Sequence, residues 1–314
     1  MISVRLAKNY AYPDILRQTP GNAGVWKDIE FTFEPLNECD YLIVFNLPLQ
    51  DIVVKVKENG TWLFVQEPPY LRNNYLKNYF PLFDIVYSHF ESKNNIKNTT
   101  TLPWHINKTF DELVALKKDD LVAKNNSVSW ITSSSNVNPG HEPRLNFLKF
   151  LKEHENELDL TLLGRGFQEI EDKFDGIYPS KYSIAIENYT DYDYFTEKIA
   201  DVFLSWSMPI YYGCKNIVKY FPPDSMILID IRKPEEALTI IKKAIAQDKW
   251  KKNLNEIEKA RNLILYEYQF FPFVYNKIKK DLLFNTKPKI KIKKVSKNPW
   301  KQFKILNFLK CFKS

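Results

Sequence analysis

Between positions 187 and 198 the chain gathers Glu187, Asn188, Asp193, Tyr194, Thr196, Glu197 and Lys198. These are groups able to hold a phosphorylated, hydroxyl-rich ligand. A lysine beside helix-terminal N–H groups suits a diphosphate, and a carboxylate accepts paired hydrogen bonds from ribose or sugar hydroxyls. The plainer alternative for Thr196-Glu197-Lys198 is a capped, solvated first turn of a helix. Asp191-Tyr192-Asp193 has an acid-x-acid form that can grip a divalent ion. Acids just before a helix also complement its dipole, and that capping reading is favoured. Another carboxylate, Glu67, ends the apolar run Thr61–Gln66 and precedes Pro68-Pro69, which biases it toward an extended backbone at a strand end. His89, His105, His141 and His154 show no HxxxH or HExxH spacing, so ordinary surface or core histidines are expected and no metal site. Gly164-Arg165-Gly166 matches no phosphate-cradle pattern and reads as a tight turn.

The elements that must position these groups follow from periodicity. Lys181–Glu187 alternates as a strand, with Tyr182, Ile184 and Ile186 on one face. After the polar loop Asn188–Asp193, Tyr194–Trp206 aligns Ile199, Ala200, Phe203 and Leu204 on one helical stripe. Met208–Tyr212 is a short apolar strand closed by Gly213. Ligands of such a βαβ unit bind beyond the strand's carboxyl end, where this polar loop lies. Upstream, Ser3–Ala7, Ile29–Phe33, Tyr41–Phe45, Ile52–Lys57, Trp62–Gln66 and Phe83–Tyr87 read as strands separated by turns and short helices. Residues 106–126 are polar and read as an interdomain connection. Downstream, strands at Val128–Ser134, Leu158–Leu163 and Met226–Asp230 alternate with helices at Pro143–Glu155 and Pro234–Gln247, which indicates a parallel α/β sheet. Trp250–Lys280 reads as further helix, broken near Phe271-Pro272-Phe273.

A chain of 314 residues has room for two domains with their own cores. It contains no apolar run of eighteen residues, and the N-terminus lacks a signal-peptide apolar segment. Three scattered cysteines, Cys39, Cys214 and Cys311, form no CxxC pair and favour a reducing cytoplasm. The net charge of +7 is unevenly spread. Residues 287–314 hold ten lysines and no acid; removing those ten from the chain's 45 bases leaves 35 against 38 acids, a net −3 for residues 1–286.

The run IAIENYTDYDYFTEKIADVFLSWSMPIYYG closely resembles the donor-binding signature of the α-1,3/1,4-fucosyltransferases, glycosyltransferase family 10. Glu187-Asn188, Tyr194, Thr196-Glu197-Lys198, Pro209 and Gly213 fall in register with that pattern. Ser135-Asn136 followed by Arg144 and Phe147 is similar to the family's arginine segment, and Gln66-Glu67-Pro68-Pro69 to its catalytic-base segment. The loop after Gly213 departs from the pattern, with Cys-Lys-Asn where Ser-Pro is common, and Phe195 replaces Val or Ile.

The resemblance implies a GT-B architecture, two Rossmann-like domains facing each other across a cleft. The expected boundaries are 1–115 for the acceptor domain, 116–286 for the donor domain and 287–314 for a basic amphipathic tail. It further implies inverting transfer of fucose from GDP-fucose to a hydroxyl of an acceptor glycan, such as GlcNAc O3/O4 in a surface polysaccharide or lipopolysaccharide. Glu67 is the implied general base, and Arg144 and Lys198 the groups that neutralise the departing diphosphate. Glu197 is the implied ribose ligand, with Asn136, Glu187, Asn188, Tyr194 and Thr196 completing the donor site. No cofactor is required on this reading, a divalent ion such as Mn or Mg serving as a stimulant. The tail pairs its lysines with Trp300, Phe303, Leu306 and other apolar residues at helical spacing, which suits an anionic membrane surface. The expected location is therefore cytoplasmic and peripheral on the inner face of the membrane. Two competing functions remain open: a transferase of the same family using another nucleotide sugar, or a non-catalytic nucleotide- or nucleic-acid-binding protein. Glu67 and the acidic body speak against the second.

Overall fold

The computed structural model describes residues 1–90, 96–97, 103–121, 124–284 and 289–298. It divides into two compact units, residues 1–99 with 274–314, and residues 100–273.

The first unit contains β1 (Ile2–Ala7), β2 (Val25–Trp26), β3 (Ile29–Thr32), β4 (Tyr41–Phe45), β5 (Ile52–Lys57), β6 (Thr61–Phe64), β7 (Ile85–Tyr87) and β8 (Ile96–Lys97). Seven of these form one sheet in the order β2-β3-β1-β4-β6-β7-β8. All pairings are parallel except β2 with β3. The central strands β4 and β6 are buried along their whole length, as strands of a parallel sheet covered on both faces must be.

The second unit is a parallel sheet of β9 (Asn125–Ile131), β10 (Leu160–Leu163), β11 (Ser180–Ile186), β12 (Met208–Tyr212) and β13 (Ile227–Leu228), ordered β10-β9-β11-β12-β13. Its helices are α1 (Phe110–Ala115), α2 (His141–Glu153), α3 (Lys173–Ile177), α4 (Glu197–Leu204), α5 (Pro234–Ala246), α6 (Lys249–Lys252) and α7 (Leu254–Leu263). The strand, helix, strand unit expected between residues 181 and 213 is β11, α4 and β12. Two parallel, helix-flanked sheets in one chain are the α/β composition of the GT-B class.

Three expectations need correction. Residues 106–126 are not an interdomain connection but part of the second unit. Trp104, Ile106, Phe110 and Leu113 are buried, and Thr109 with Glu112 forms a capping box at the start of α1. The polar residues of that stretch cover one face of a helix whose other face is core. The break in the long C-terminal helix comes earlier than Pro272, at a π-helical turn, Ile264–Tyr268, ended by extended Gln269. Pro272 instead lies in the first turn of α8 (Phe270–Phe284), where a missing N–H costs nothing. Finally, the first unit does not end near residue 115 or the second at 286. The chain returns to the first unit from Val274, and β14 (Ile290–Val295) pairs antiparallel with β5. Val295 joins the core, and Lys291 and Lys293 reach Asp84 at 2.8 and 3.7 Å. The stretch 290–295 is therefore a strand of the folded body, and residues 299–314 of the expected tail lie outside the described residues. No helix among the described residues is long and apolar enough to cross a membrane.

Candidate functional site

The site is built on the start of α4. Thr196 caps the helix with an extended backbone, its hydroxyl accepting from the Lys198 N–H at 3.5 Å. Glu187, the residue after β11, is buried beneath that cap. Its carboxylate accepts from the Thr196 backbone N–H at 2.8 Å and from the Thr196 hydroxyl at 2.7 Å. The Lys198 ammonium lies 3.4 Å from Glu187 and 3.3 Å from Glu197, and donates to the Thr196 hydroxyl at 2.9 Å. Burial opposes charge on Lys198, but Glu197 and Glu187 outweigh it and raise its pKa. Burial also works to raise Glu197, yet Lys198, His105 and Lys173 together hold its carboxyl well below the usual range. For Glu187 burial dominates and pushes the pKa up.

Arg144 reaches the same place from α2. One terminal nitrogen donates to the carbonyls of Ser133 and Ser135, each at 3.0 Å, and the other lies 3.5 Å from Asn188 Oδ1. Its Nε–H is buried with no protein partner, and among the described residues no carboxylate lies within ion-pair distance. A buried guanidinium held by neutral carbonyls, with an unspent donor, is prepared for an anion.

Arg144, Asn188, Glu197 and Lys198 line one pocket of about 420 Å³ at the carboxyl ends of β9, β10 and β11. Its walls carry Arg144, Arg165, Lys173 and Lys198 against Glu197 and Asp201, an excess of two positive charges. Gly164 and Gly166 have φ of +110° and +83°, as the expected tight turn needs, and Gly164 is also part of the wall. A Cβ on Gly164 would lie 2.1 Å from the Thr132 carbonyl oxygen, so only glycine allows this close approach.

Of the expected site residues, Arg144, Asn188, Glu197 and Lys198 line the pocket. Glu187 and Thr196 lie under its rim and hold Lys198. Tyr194 is buried edge-on against Tyr189 at 5.2 Å, and Asn136 is exposed on the loop before α2. Glu67 belongs to the first unit. It follows β6 in a loop tied on both sides, by the Gln66 N–H donating to Asn46 at 2.8 Å and by Asn73 donating to the Pro68 carbonyl at 2.8 Å. Asp191 and Asp193 do not cap α4, as Thr196 already does. Asp193 accepts from Asn216 at 2.7 Å and from Tyr220, and Asp191 faces Lys215 at 3.6 Å, so both acids anchor the loop after β12. Among the described residues no three His, Cys, Asp or Glu side chains are grouped to hold a metal ion.

Three residues of the site were not anticipated. Asp201, on the same α4 face as Glu197 one turn on, is buried and accepts from the backbone N–H groups of His105 at 2.7 Å and Ile106 at 3.2 Å. Lys173 donates to its other oxygen at 3.3 Å. His105 Nδ1 lies 4.0 Å from Glu197, and burial lowers its pKa despite the nearby carboxylates. The i, i+4 spacing of Glu197 and Asp201 was a usable signal. Nothing in the local sequence of His105 or Lys173 announces where they lie.

Residues 121–254 match the family model described as Glycosyltransferase family 10 (fucosyltransferase) C-term. The chain is 29% identical over 136 residues to a human protein described as 4-galactosyl-N-acetylglucosaminide 3-alpha-L-fucosyltransferase 9, a match covering 41% of this chain and 36% of that one. It is 38% identical over 63 residues to Alpha-(1,3)-fucosyltransferase FucT of Helicobacter pylori, covering 20% of this chain and 13% of that one. The match thus spans about a third of the human relative. A crystal structure of an alpha1,3-fucosyltransferase with GDP superposes with a TM-score of 0.50 at 18% identity, covering 84% of this chain and 90% of the other, which is a likeness of fold.

Proposed function

We propose, from the premise that this chain belongs to glycosyltransferase family 10 through its residues 121–254, that it transfers fucose from GDP-fucose to a hydroxyl of a saccharide acceptor. The observation that carries the proposal is Arg144, a buried cation with no carboxylate partner among the described residues, lining the same pocket as Lys198 and Glu197. In this reading Arg144, Lys198 and the N–H groups of α4 receive the diphosphate as its charge grows during departure. Glu197, kept ionised by Lys198, accepts from the ribose hydroxyls. Glu187 and Thr196 act as positioning residues, and Asn188 orients Arg144. Glu67 takes the proton of the acceptor hydroxyl as that oxygen attacks C1 of fucose from the face opposite the leaving GDP, which inverts the anomeric centre. A general base in this role contributes about a hundred- to ten-thousandfold.

The test is a donor screen of GDP-fucose, GDP-mannose and UDP-sugars with N-acetylglucosamine-containing acceptors, reading release of the nucleotide. Turnover with GDP-fucose is expected, and preference for another donor would overturn that assignment. Glu67→Gln should lower kcat at least a hundredfold while leaving GDP affinity unchanged; near-normal turnover would remove Glu67 from its role. The lysine-rich, aromatic chain end is further proposed to contact an anionic membrane on its cytoplasmic side. Deleting residues 299–314, which spares β14, should abolish flotation with anionic vesicles; equal flotation of both forms would sink that idea.

A further inference from the structure

Resting on the donor reading above, we propose that Lys173, held in place by Asp201, reads the O6 and N7 edge of the guanine ring and so sets the base specificity of the pocket. The order of groups along α4 leads to it. The diphosphate falls at the helix N-terminus, the ribose at Glu197 in the first turn, and Asp201 four residues further on, about 6 Å along the axis. That is where the base of a nucleoside diphosphate must lie, and Lys173 lines the pocket there beside Ile170, Ile177 and Val202, whose side chains suit the faces of a ring.

Lys173 is arranged to donate. Among the described residues its ammonium makes one hydrogen bond, to Asp201 at 3.3 Å, and its side chain keeps 32% exposure, so further N–H bonds are available toward the pocket. Asp201 is 1% exposed and receives two backbone N–H groups from the 105–106 segment. A carboxylate fixed in this way cannot follow the lysine, so the lysine must stay with it. The Asp201 and Glu197 charges overcome burial and raise the pKa of Lys173, which keeps it a cation. Guanine offers a lysine two adjacent acceptors, O6 and N7, whereas adenine presents an N6 donor beside N7. The pairing therefore rewards guanine and penalises adenine.

The experiment is calorimetric titration of the full chain with GDP and with 2-aminopurine riboside 5′-diphosphate, which lacks O6. Wild type should lose at least tenfold in affinity on removal of O6. In Lys173→Met that penalty should shrink to within threefold, with GDP itself bound at least tenfold more weakly. Lys173→Arg, which keeps a donor and the ion pair, should retain the penalty, and this separates base reading from a loss of folding. An equal O6 penalty in wild type and Lys173→Met, or unchanged GDP affinity in Lys173→Met, would overturn the assignment while leaving the donor reading intact. A wild-type chain that binds no GDP would overturn both.

Discussion

Glu187 accepts two hydrogen bonds from a single residue, Thr196, one from its backbone N–H at 2.8 Å and one from its hydroxyl at 2.7 Å. The residue that ends the strand thereby fixes the residue that begins the helix, and the loop between them is closed like a clasp. Glu187→Gln keeps the shape but loses the charge that faces Lys198. Hydrogen bonds to charged groups contribute about 1.5–3 kcal/mol. The variant should melt at lower temperature and bind GDP about tenfold more weakly, measured by thermal unfolding and calorimetry.

Gly213 packs on the same carboxylate. Its φ is +156°, and a Cβ there would lie 2.4 and 2.6 Å from Glu187 Cγ and Cβ. Gly213→Ala must therefore move Glu187 or the strand end. A cost of about 1–3 kcal/mol is expected from overpacking, read by urea unfolding, with weakened GDP binding as Glu187 leaves Thr196.

Arg144 and Lys198 are predicted to hold one diphosphate between them. Arg144→Met and Lys198→Met should each weaken GDP binding by about ten- to a hundredfold, or roughly 1.4–2.8 kcal/mol. In the double variant the losses should fall short of additive, because a diphosphate released by one cation is already misplaced for the other. Guanosine binding, which lacks the phosphates, should change little in either single variant.

His105 gives the fold an acid limb. Burial lowers its pKa in the folded chain, with Lys173 and Lys198 reinforcing the effect and Glu197 and Asp201 opposing it. Below about pH 6.5 the unfolded chain binds a proton that the folded chain resists. This contribution to stability is full above that pH and is lost as pH falls toward the lowered folded value. Wild type should lose stability as pH falls below about 6.5, with a slope of at most about 1.4 kcal/mol per pH unit from this group. His105→Gln should flatten that slope in melts at stepped pH.

The βαβ core of the second unit was legible because period 2 gave way to period 3.6 and back within residues 181–213, and because Gly213 marks the strand end. Arg144 was found only through resemblance. No local pattern tells a pocket-facing arginine on an amphipathic helix from a solvated one. Lys173 stayed hidden for a different reason: its partnership with Asp201 spans the whole of β11, and a contact between separate elements leaves no periodic trace. The 106–126 stretch misled because its charges outnumber its core residues, although Phe110 and Leu113, three apart, mark the buried face. The lysine run at 289–294 misled in the other direction. Alternation of Ile290 and Ile292 with lysine is also a strand pattern, and the pairing with β5 decided the matter.

That pairing makes the second unit an insertion. Residues 100–273 are bracketed by two stretches of the first unit, and the last described strand seals β5. A shortened gene ending before Ile290 would leave β5 with an open edge and a hole where Val295 sits in the core. The first unit can therefore be completed only after the whole second unit has left the ribosome, whereas the second unit is free to fold before β14 is made.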